Sequence, residues 1–249
     1  IAHVEAGLRS YDRTMPEEIN RILTDSVADL LFTTERSAGV NLEREGVDPA
    51  KIHFVGNVMI DSLLRHRHQA LALAMPERWG LGSEPFVVVT LHRPSNVDKP
   101  EVLAGILEAL FRIQERVPIL FPIHPRTRRR LAEYGLTDRA AAMPRLHLLE
   151  PLGYLEFLGL TAAARLVITD SGGVQEETTI LEVPCLTVRP NTERPVTVTE
   201  GTNELVSGPP ADLVAAAFRI LEGPAKTGRQ PELWDGHAAE RIVTVLAAL

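Results

Sequence analysis

The sequence is poor in cysteine and has no excess of positive charge or long hydrophobic run. Its one cysteine, Cys185, excludes an intrachain disulfide and favours a reducing compartment. Because Cys185 lies in an apolar run, we expect a buried core residue rather than a nucleophile. The net charge of −7 argues against nucleic acid as the main partner. No apolar stretch has the length of a membrane helix, and the first residues do not resemble a signal peptide. We therefore expect a cytoplasmic protein that binds neither nucleic acid nor membrane.

Several common cofactor motifs are also absent from the sequence. It has no His-x-x-x-His pair on a predicted helix, no paired cysteines and no carboxylate-rich loop of the kind that binds metal ions. It contains neither the glycine-rich ATPase loop nor the Gly-x-Gly-x-x-Gly dinucleotide motif. These absences disfavour a metalloenzyme, an ATPase and a dehydrogenase, and we expect no cofactor.

The chain alternates predicted strands and helices, which indicates an α/β fold with parallel sheets. Strands are predicted at 30–33, 52–55, 86–91, 119–123, 146–148, 166–169, 185–188 and 204–206, and helices at 17–28, 36–45, 58–74, 100–116, 126–134, 153–163, 173–181, 211–221 and 237–248. The Gly- and Pro-containing segment 76–85 reads as a linker. We expect two Rossmann-like doubly wound domains, at 1–80 and 81–249. The first appears without its N-terminal half because residues 1–7 resemble the end of a strand, and the last helix is a candidate for packing back on it.

The segment 166–177 is the most informative, because an apolar strand ends at Asp170 and is followed by Ser171, Gly172 and Gly173 before a helix. The free N–H groups and dipole of a helix N-terminus suit a phosphate, and glycine allows a diphosphate to approach the backbone. An acidic residue of the first turn could accept hydrogen bonds from a ribose. Ordinary helix capping explains the same pattern equally well.

Glu5 and Glu17 form a second candidate group, because both lie on loops that flank a predicted helix start. Two carboxylates in different environments can divide acid and base roles. Taken alone, Glu17 is better explained as an ordinary acid in a first helical turn after Pro16.

Further candidates follow the ends of other predicted strands. His92 and Arg93 end one strand and His124 ends the next, which favours a common wall facing an anion. The run Arg126, Arg128, Arg129 and Arg130 is either part of that wall or a solvated face. Arg189 and Arg194 could bind phosphate after a later strand, and Asn57 is as plausible a helix cap as a site residue.

Taken in order, these segments resemble the UDP-N-acetylglucosamine 2-epimerases of the non-hydrolysing type. The matching segments are 3–9, 16–18 with 20–21, 56–57 with 61, 90 with 92–93, 170–177 and 192–195. The resemblance implies two Rossmann-like domains around a cleft, as in GT-B glycosyltransferases. It also implies an isomerase that uses no metal or NAD, forms a homodimer and supplies cell-surface polysaccharide synthesis.

The resemblance implies residue roles as well. Glu5 and Glu17 would face the sugar, and His92 would stabilise the departing UDP. The other implied UDP-binding residues are Arg93, Ser171, Gly172, Gly173, Glu177, Arg189, Arg194, Asn57 and His124. The reaction implied is elimination of UDP to a 2-acetamidoglucal, followed by re-addition of UDP with the C2 proton on the other face.

Two residues depart from the family pattern, since Ser95 and Val196 stand where glutamate is common. In the family, an N-terminal segment carries an arginine loop, an aspartate and an accessory nucleotide site. That segment would precede Ile1, so we expect either a fragment or a protein whose first part lies outside this sequence. Three other functions stay open: a hydrolysing 2-epimerase that releases N-acetylmannosamine and UDP, a GT-B glycosyltransferase, and a UDP-binding fragment without activity.

Overall fold

The computed structural model describes residues 1–248 as two parallel β-sheets covered by helices. Its strands are β1 (Ala2–Val4), β2 (Leu30–Thr33), β3 (Ile52–Phe54), β4 (Val87–Thr90), β5 (Ile119–Pro122), β6 (Leu146–Leu149), β7 (Leu166–Thr169), β8 (Cys185–Thr187) and β9 (Asn203–Leu205). Its helices are α1 (Pro16–Val27), α2 (Arg36–Arg44), α3 (Val58–Leu71), α4 (Pro94–Val97), α5 (Pro100–Gln114), α6 (Pro125–Glu133), α7 (Thr137–Ala141), α8 (Tyr154–Ala163), α9 (Gly172–Leu181), α10 (Pro195–Thr199), α11 (Pro210–Glu222) and α12 (Ala238–Leu246). The predicted α/β class with parallel sheets is confirmed.

The strand order of the larger sheet places the candidate site. The smaller sheet has the order β1-β2-β3, and the larger has the order β6-β5-β4-β7-β8-β9. The order therefore reverses direction between β4 and β7, which pair in parallel with Thr90 opposite Thr169. In such sheets, ligands bind in the crevice beyond the carboxyl ends of the two strands at this switch point.

Apolar strands with helices on both faces explain the core of the larger sheet. Val87 and Val89 pack into one buried cluster with residues of α5 and α11. Val88 packs into a second cluster on the opposite face with residues of α3 and α8. Successive strand residues point to opposite faces, so an unbroken apolar run is what a sheet covered on both sides requires. Cys185 is fully buried, as predicted.

The regular elements match the predictions to within a few residues, whereas three short helices were missed. Helices α4, α7 and α10 have four or five residues each, too few for an apolar stripe with a helical period to be recognised. Two of them, α4 and α10, have proline in their first turn. No helix within residues 1–248 combines the length and the apolar composition needed to cross a membrane.

The chain passes between the two sheets twice. Helix α3 and the 3-10 turn Met75–Trp79 follow the smaller sheet but pack on α8 of the larger one. The segment after α11 returns, and the buried Trp234 donates from Nε1 to the carbonyl of Thr34 at 2.9 Å. Arg241 of α12 donates to the carbonyl of Val55 at 3.1 Å. The boundary between residues 80 and 81 stays a prediction.

Two helical glycines provide a matched test of the packing between α3 and α8. A Cβ on Gly159 of α8 would collide with the carbonyl oxygen of Ala70, whereas a Cβ on Gly39 of α2 would be 3.7 Å from its nearest neighbour. We expect Gly159→Ala to lower the free energy of unfolding by about 1–3 kcal/mol through overpacking. Gly39→Ala should raise it by about 0.5–1 kcal/mol because alanine favours the helix. Urea unfolding checks both, and a Gly159→Ala protein as stable as the parent would contradict the packing.

Candidate functional site

Asp170 joins the two strands of the switch point. Its fully buried carboxylate, just after β7, accepts hydrogen bonds from the backbone N–H groups of His92 and Arg93 at 3.0 and 2.9 Å, and from Nδ2 of Asn96 at 3.0 Å. These donors follow β4. Sequence reasoning treated Asp170 as a residue of the turn, but the structure uses it to fix the loop beyond the neighbouring strand.

Asp170 also orients the imidazole of His92. The Nδ1 atom of His92 is 3.0 Å from Oδ1 of Asp170, so Nδ1 carries a proton and Nε2 is left for a ligand. The ring centroid of His124 lies 5.4 Å from that of His92. His124 accepts a hydrogen bond at Nδ1 from the backbone of Arg126, while partial burial and nearby His92 hold its pKa below the ordinary value. The structure therefore brings the two predicted histidines together.

The N-terminus of α9 lies beside this pair and has no side-chain cap. The helix begins at Gly172, and the Ser171 side chain makes no capping hydrogen bond. Its first N–H groups are therefore available to an anion. A Cβ on Gly172 would collide with Arg194, whereas one on Gly173 would lie 3.1 Å from Cε of Met59. Gly172 thus makes room for an arginine of the protein, which sequence reasoning did not predict.

The two acids of α9 differ in surroundings. Burial, then the charge of Glu176, raises the pKa of Glu177 to about 7, and nearby Tyr154 counteracts part of this rise. Glu176 is fully buried and faces the smaller sheet, where Nδ2 of Asn57 donates to its Oε1 at 2.9 Å. Asn57 also caps α3 by accepting from the N–H of Met59. Asn57 has no exposed surface, so contact with a ligand would require this pairing to open.

Arg194 and Arg189 are buried in ion pairs with acids of the protein. Arg194 Nε is 2.8 Å from Glu176 Oε1, and its Nη1 is 2.5 Å from Glu193 Oε1. Arg189 Nη2 is 2.8 Å from Glu193 Oε2. The burial of Glu193 is outweighed by these two arginines, which lower its pKa to about 2. Both arginines were predicted to bind phosphate, and that role stays a prediction.

The predicted catalytic carboxylates lie across the cleft from the switch point. Glu5 follows β1 with a φ of +68°, a conformation that costs energy for a residue with a side chain. Its Oε2 is 3.8 Å from Nη2 of Arg194. Glu17, in the first turn of α1, pairs with Nη1 of Arg93 at 2.6 Å. Each acid therefore faces an arginine that follows a strand of the larger sheet.

The arginine run of α6 forms a neutralised surface. Arg126 and Arg130 both pair with Asp98, and the hydrogen bond from Arg126, followed by that from Arg130, lowers the pKa of Asp98 to about 2. Arg128 pairs with Glu150 and Arg129 with Glu133. Of the two alternatives weighed for this run, the solvated face is the one that the structure supports.

Sequence reasoning missed the residues that support the site from behind. Asn96 and Asp170 fix the His92 loop, and Glu176 and Glu193 fix Arg194. Arg21 joins Glu18 of its own helix to Glu193 at 3.4 and 3.5 Å. Two weak signals were available in the sequence. Asn96 follows closely after the His-Arg pair, and acids stand near the candidate residues, with Glu193 directly before Arg194 and with Asp170 and Glu176 each three residues from Gly173. Neither signal could give the pairing. Among residues 1–248 no cluster of three potential metal-ligating side chains occurs.

Comparisons with known proteins point to one family. The family model described as UDP-N-acetylglucosamine 2-epimerase matches residues 1–247. A UDP-N-acetylglucosamine 2-epimerase of Methanocaldococcus jannaschii is 45% identical over 99% of this chain and 68% of its own length. A UDP-2,3-diacetamido-2,3-dideoxy-D-glucuronate 2-epimerase of Pseudomonas aeruginosa is 43% identical over 100% of this chain and 68% of its own length.

A solved structure gives the same result for the fold. The crystal structure of the Methanocaldococcus jannaschii UDP-GlcNAc 2-epimerase in complex with UDP-GlcNAc and UDP superposes with a TM-score of 0.92 at 44% identity. The match covers 100% of this chain and 69% of that one. The predicted GT-B-like arrangement is thereby confirmed.

The buried acid Glu35 generates a pH-dependent prediction. Burial raises its pKa to about 7 from 4.5, so the folded state binds more protons than the unfolded state between these values. The stabilisation is fully present below pH 4.5 and is lost as the pH rises through about 7. The free energy of unfolding should therefore fall less steeply between pH 5 and 7 in Glu35→Gln than in the parent. The difference between the two slopes should be at most about 1.4 kcal/mol per pH unit.

Urea unfolding at pH 5, 6 and 7 measures this slope. Glu182→Gln, at an exposed position, is the control and should leave the slope unchanged. An identical slope in Glu35→Gln and the parent would contradict the assignment.

Proposed function

The chain belongs to the UDP-N-acetylglucosamine 2-epimerase family, and from this premise we propose that it interconverts UDP-N-acetylglucosamine and UDP-N-acetylmannosamine. The supporting observation is the combination at the switch point of an uncapped helix N-terminus with a histidine oriented by a buried aspartate. This combination suits a leaving diphosphate, because backbone N–H groups bind its charge and Nε2 of His92 is available to it.

The chemistry explains why carboxylates are needed opposite the diphosphate. The proton on C2 of the sugar is weakly acidic because no carbonyl is adjacent. Breaking the C1–O bond first sends the bonding electron pair to UDP and leaves positive charge at C1. A carboxylate can stabilise that charge and then take the C2 proton, which gives a 2-acetamidoglucal.

We assign these roles to Glu5 and Glu17. Re-addition of UDP at C1 with proton delivery to the opposite face of C2 gives the epimer, so no atom is gained or lost. Arg93 pairs with Glu17 and could exchange that partner for a phosphate when the nucleotide enters. Ser171, Gly172 and Gly173 would retain UDP between the two steps, and Glu177 would bind the ribose.

Two features leave the sugar substituents open. The Pseudomonas aeruginosa relative, named for a diacetamido uronate, is nearly as similar as the Methanocaldococcus jannaschii one. Ser95 and Val196 also stand at positions where the family commonly has glutamate. Assaying both nucleotide sugars side by side distinguishes these substrates.

We also infer the cellular setting from the resemblance. A cytoplasmic homodimer that supplies N-acetylmannosamine units for surface polysaccharides fits the family pattern. The single buried cysteine is consistent with a reducing compartment.

The central test is isotope exchange at C2. With the full-length protein in heavy water, we expect deuterium at C2 of UDP-N-acetylglucosamine together with a UDP-N-acetylmannosamine product. Glu17→Gln should lower this exchange at least tenfold, with UDP affinity changed much less. Mass spectrometry and calorimetry measure the two quantities.

The other functions give different results in the same experiment. Free N-acetylmannosamine and UDP would indicate the hydrolysing reaction. Sugar transfer to an acceptor without C2 exchange would indicate a glycosyltransferase, and UDP binding alone would indicate a binding fragment. Any of these would overturn the proposal.

The proposed diphosphate site at Ser171, Gly172 and Gly173 has a separate test. Side chains at position 173 should obstruct the helix N-terminus, so Gly173→Ala and then Gly173→Val should weaken UDP binding progressively. The neighbouring Met59 end can move, so the unfolding midpoint should change little in Gly173→Ala. Calorimetric titration with UDP measures the affinity, and unchanged affinity in Gly173→Val would refute this placement of the diphosphate.

A further inference from the structure

Glu176 is a buried carboxylate at the point where the two halves of the cleft meet. It lies on α9, whose N-terminus is the proposed diphosphate site. Its Oε1 accepts a hydrogen bond of 2.9 Å from Nδ2 of Asn57, which follows the last strand of the smaller sheet. The same oxygen is 2.8 Å from Nε of Arg194. One carboxylate oxygen therefore joins the cap of α3 to an arginine of the larger sheet.

Two of the three guanidinium nitrogens of Arg194 face buried acids. Nε faces Glu176 and Nη1 faces Glu193, and the missing side chain at Gly172 provides the space. Nη2 is left, and it lies 3.8 Å from Oε2 of Glu5. The contact of Arg194 with Glu5 is thus set by the two buried acids behind it.

We propose that Glu176 is a positioning residue, which acts through Arg194 to set the charge that the carboxylate of Glu5 presents to the sugar. Glu176 has no exposed surface, so it does not contact the nucleotide. This proposal rests on the proposed function, because it assigns Glu5 to the sugar side of the cleft.

Three acids share the positive charge of Arg194. Arg194 lies among Glu176, Glu193 and Glu5, and its contact with Glu5 is the longest of the three. Removing the negative charge of Glu176 makes the electrostatic potential around Arg194 more positive. The guanidinium then attracts the carboxylate of Glu5 more strongly. A Glu5 carboxylate more strongly paired with arginine is a weaker base and stabilises positive charge at C1 less well.

Glu176→Gln tests the proposal because it keeps the volume and an oxygen for the Asn57 amide while removing the charge. We expect kcat for C2 exchange to fall at least tenfold, with KM and the Kd for UDP within twofold of the parent. Glu182→Gln, at the exposed C-terminal end of the same helix, should change none of these. An unchanged kcat, or an equal loss of kcat and UDP affinity, would overturn the proposal.

A double mutant separates positioning from a general structural effect. If Glu176 acts through Arg194, then adding Glu176→Gln to Arg194→Lys should lower kcat by less than twofold beyond Arg194→Lys alone. Full additivity of the two losses would show that Glu176 acts by another route and would overturn the proposal.

A third measurement does not depend on the reaction. The proton and nitrogen chemical shifts of the Arg194 Nε group, followed by NMR, should change in Glu176→Gln and stay the same in Glu182→Gln, because only the first variant removes the charge that lies 2.8 Å from Nε. Unchanged shifts in Glu176→Gln would overturn the positioning role whatever the enzyme catalyses. A parent without C2 exchange, but with the expected change in chemical shift, would refute the proposed function and keep the contact of Glu176 with Arg194.

Discussion

The bonds of the Asp170 carboxylate across the switch point are the interaction on which the cleft depends. Strands β4 and β7 are adjacent, but their ladder ends at Thr90 and Thr169 and does not hold the loops beyond them together. A buried carboxylate that accepts several N–H bonds stays ionised, so these bonds are strong. The His92 imidazole, followed by the bonds from Asn96 and the backbone of Arg93, outweighs the burial of Asp170 and keeps its pKa below the ordinary value. The position of His92 relative to the N-terminus of α9 follows from these bonds.

Buried charge is the second organising feature, and around Arg194 it is paired. Arg194 and Arg189 share Glu193, while Glu176 completes the surroundings of Arg194. Burying unpaired charges would be expensive, so each group in this cluster depends on its partners. Burial raises the pKa of Glu176 to about 7 despite Arg194 beside it, because the charge of Glu5 adds to the effect of burial.

The sequence predicted the fold and the location of the site better than the contacts within it. Apolar runs of β4, β7 and β8 and the Ser-Gly-Gly turn are local signals, and the structure places them where parallel α/β logic requires. The pairing of His92 with Asp170 spans 78 residues, and that of Asn57 with Glu176 spans 119. No local pattern encodes such contacts. For the same reason, the sequence did not show that acids of the chain surround Arg189 and Arg194.

The double passage of the chain between the sheets limits how the cleft can open. One passage runs from Gly56 into α3, and the other brings Trp234 back onto Thr34. Two parts joined by two separate stretches of chain cannot come apart without unfolding one of them. A hinge motion of one sheet against the other would have its axis through both crossings.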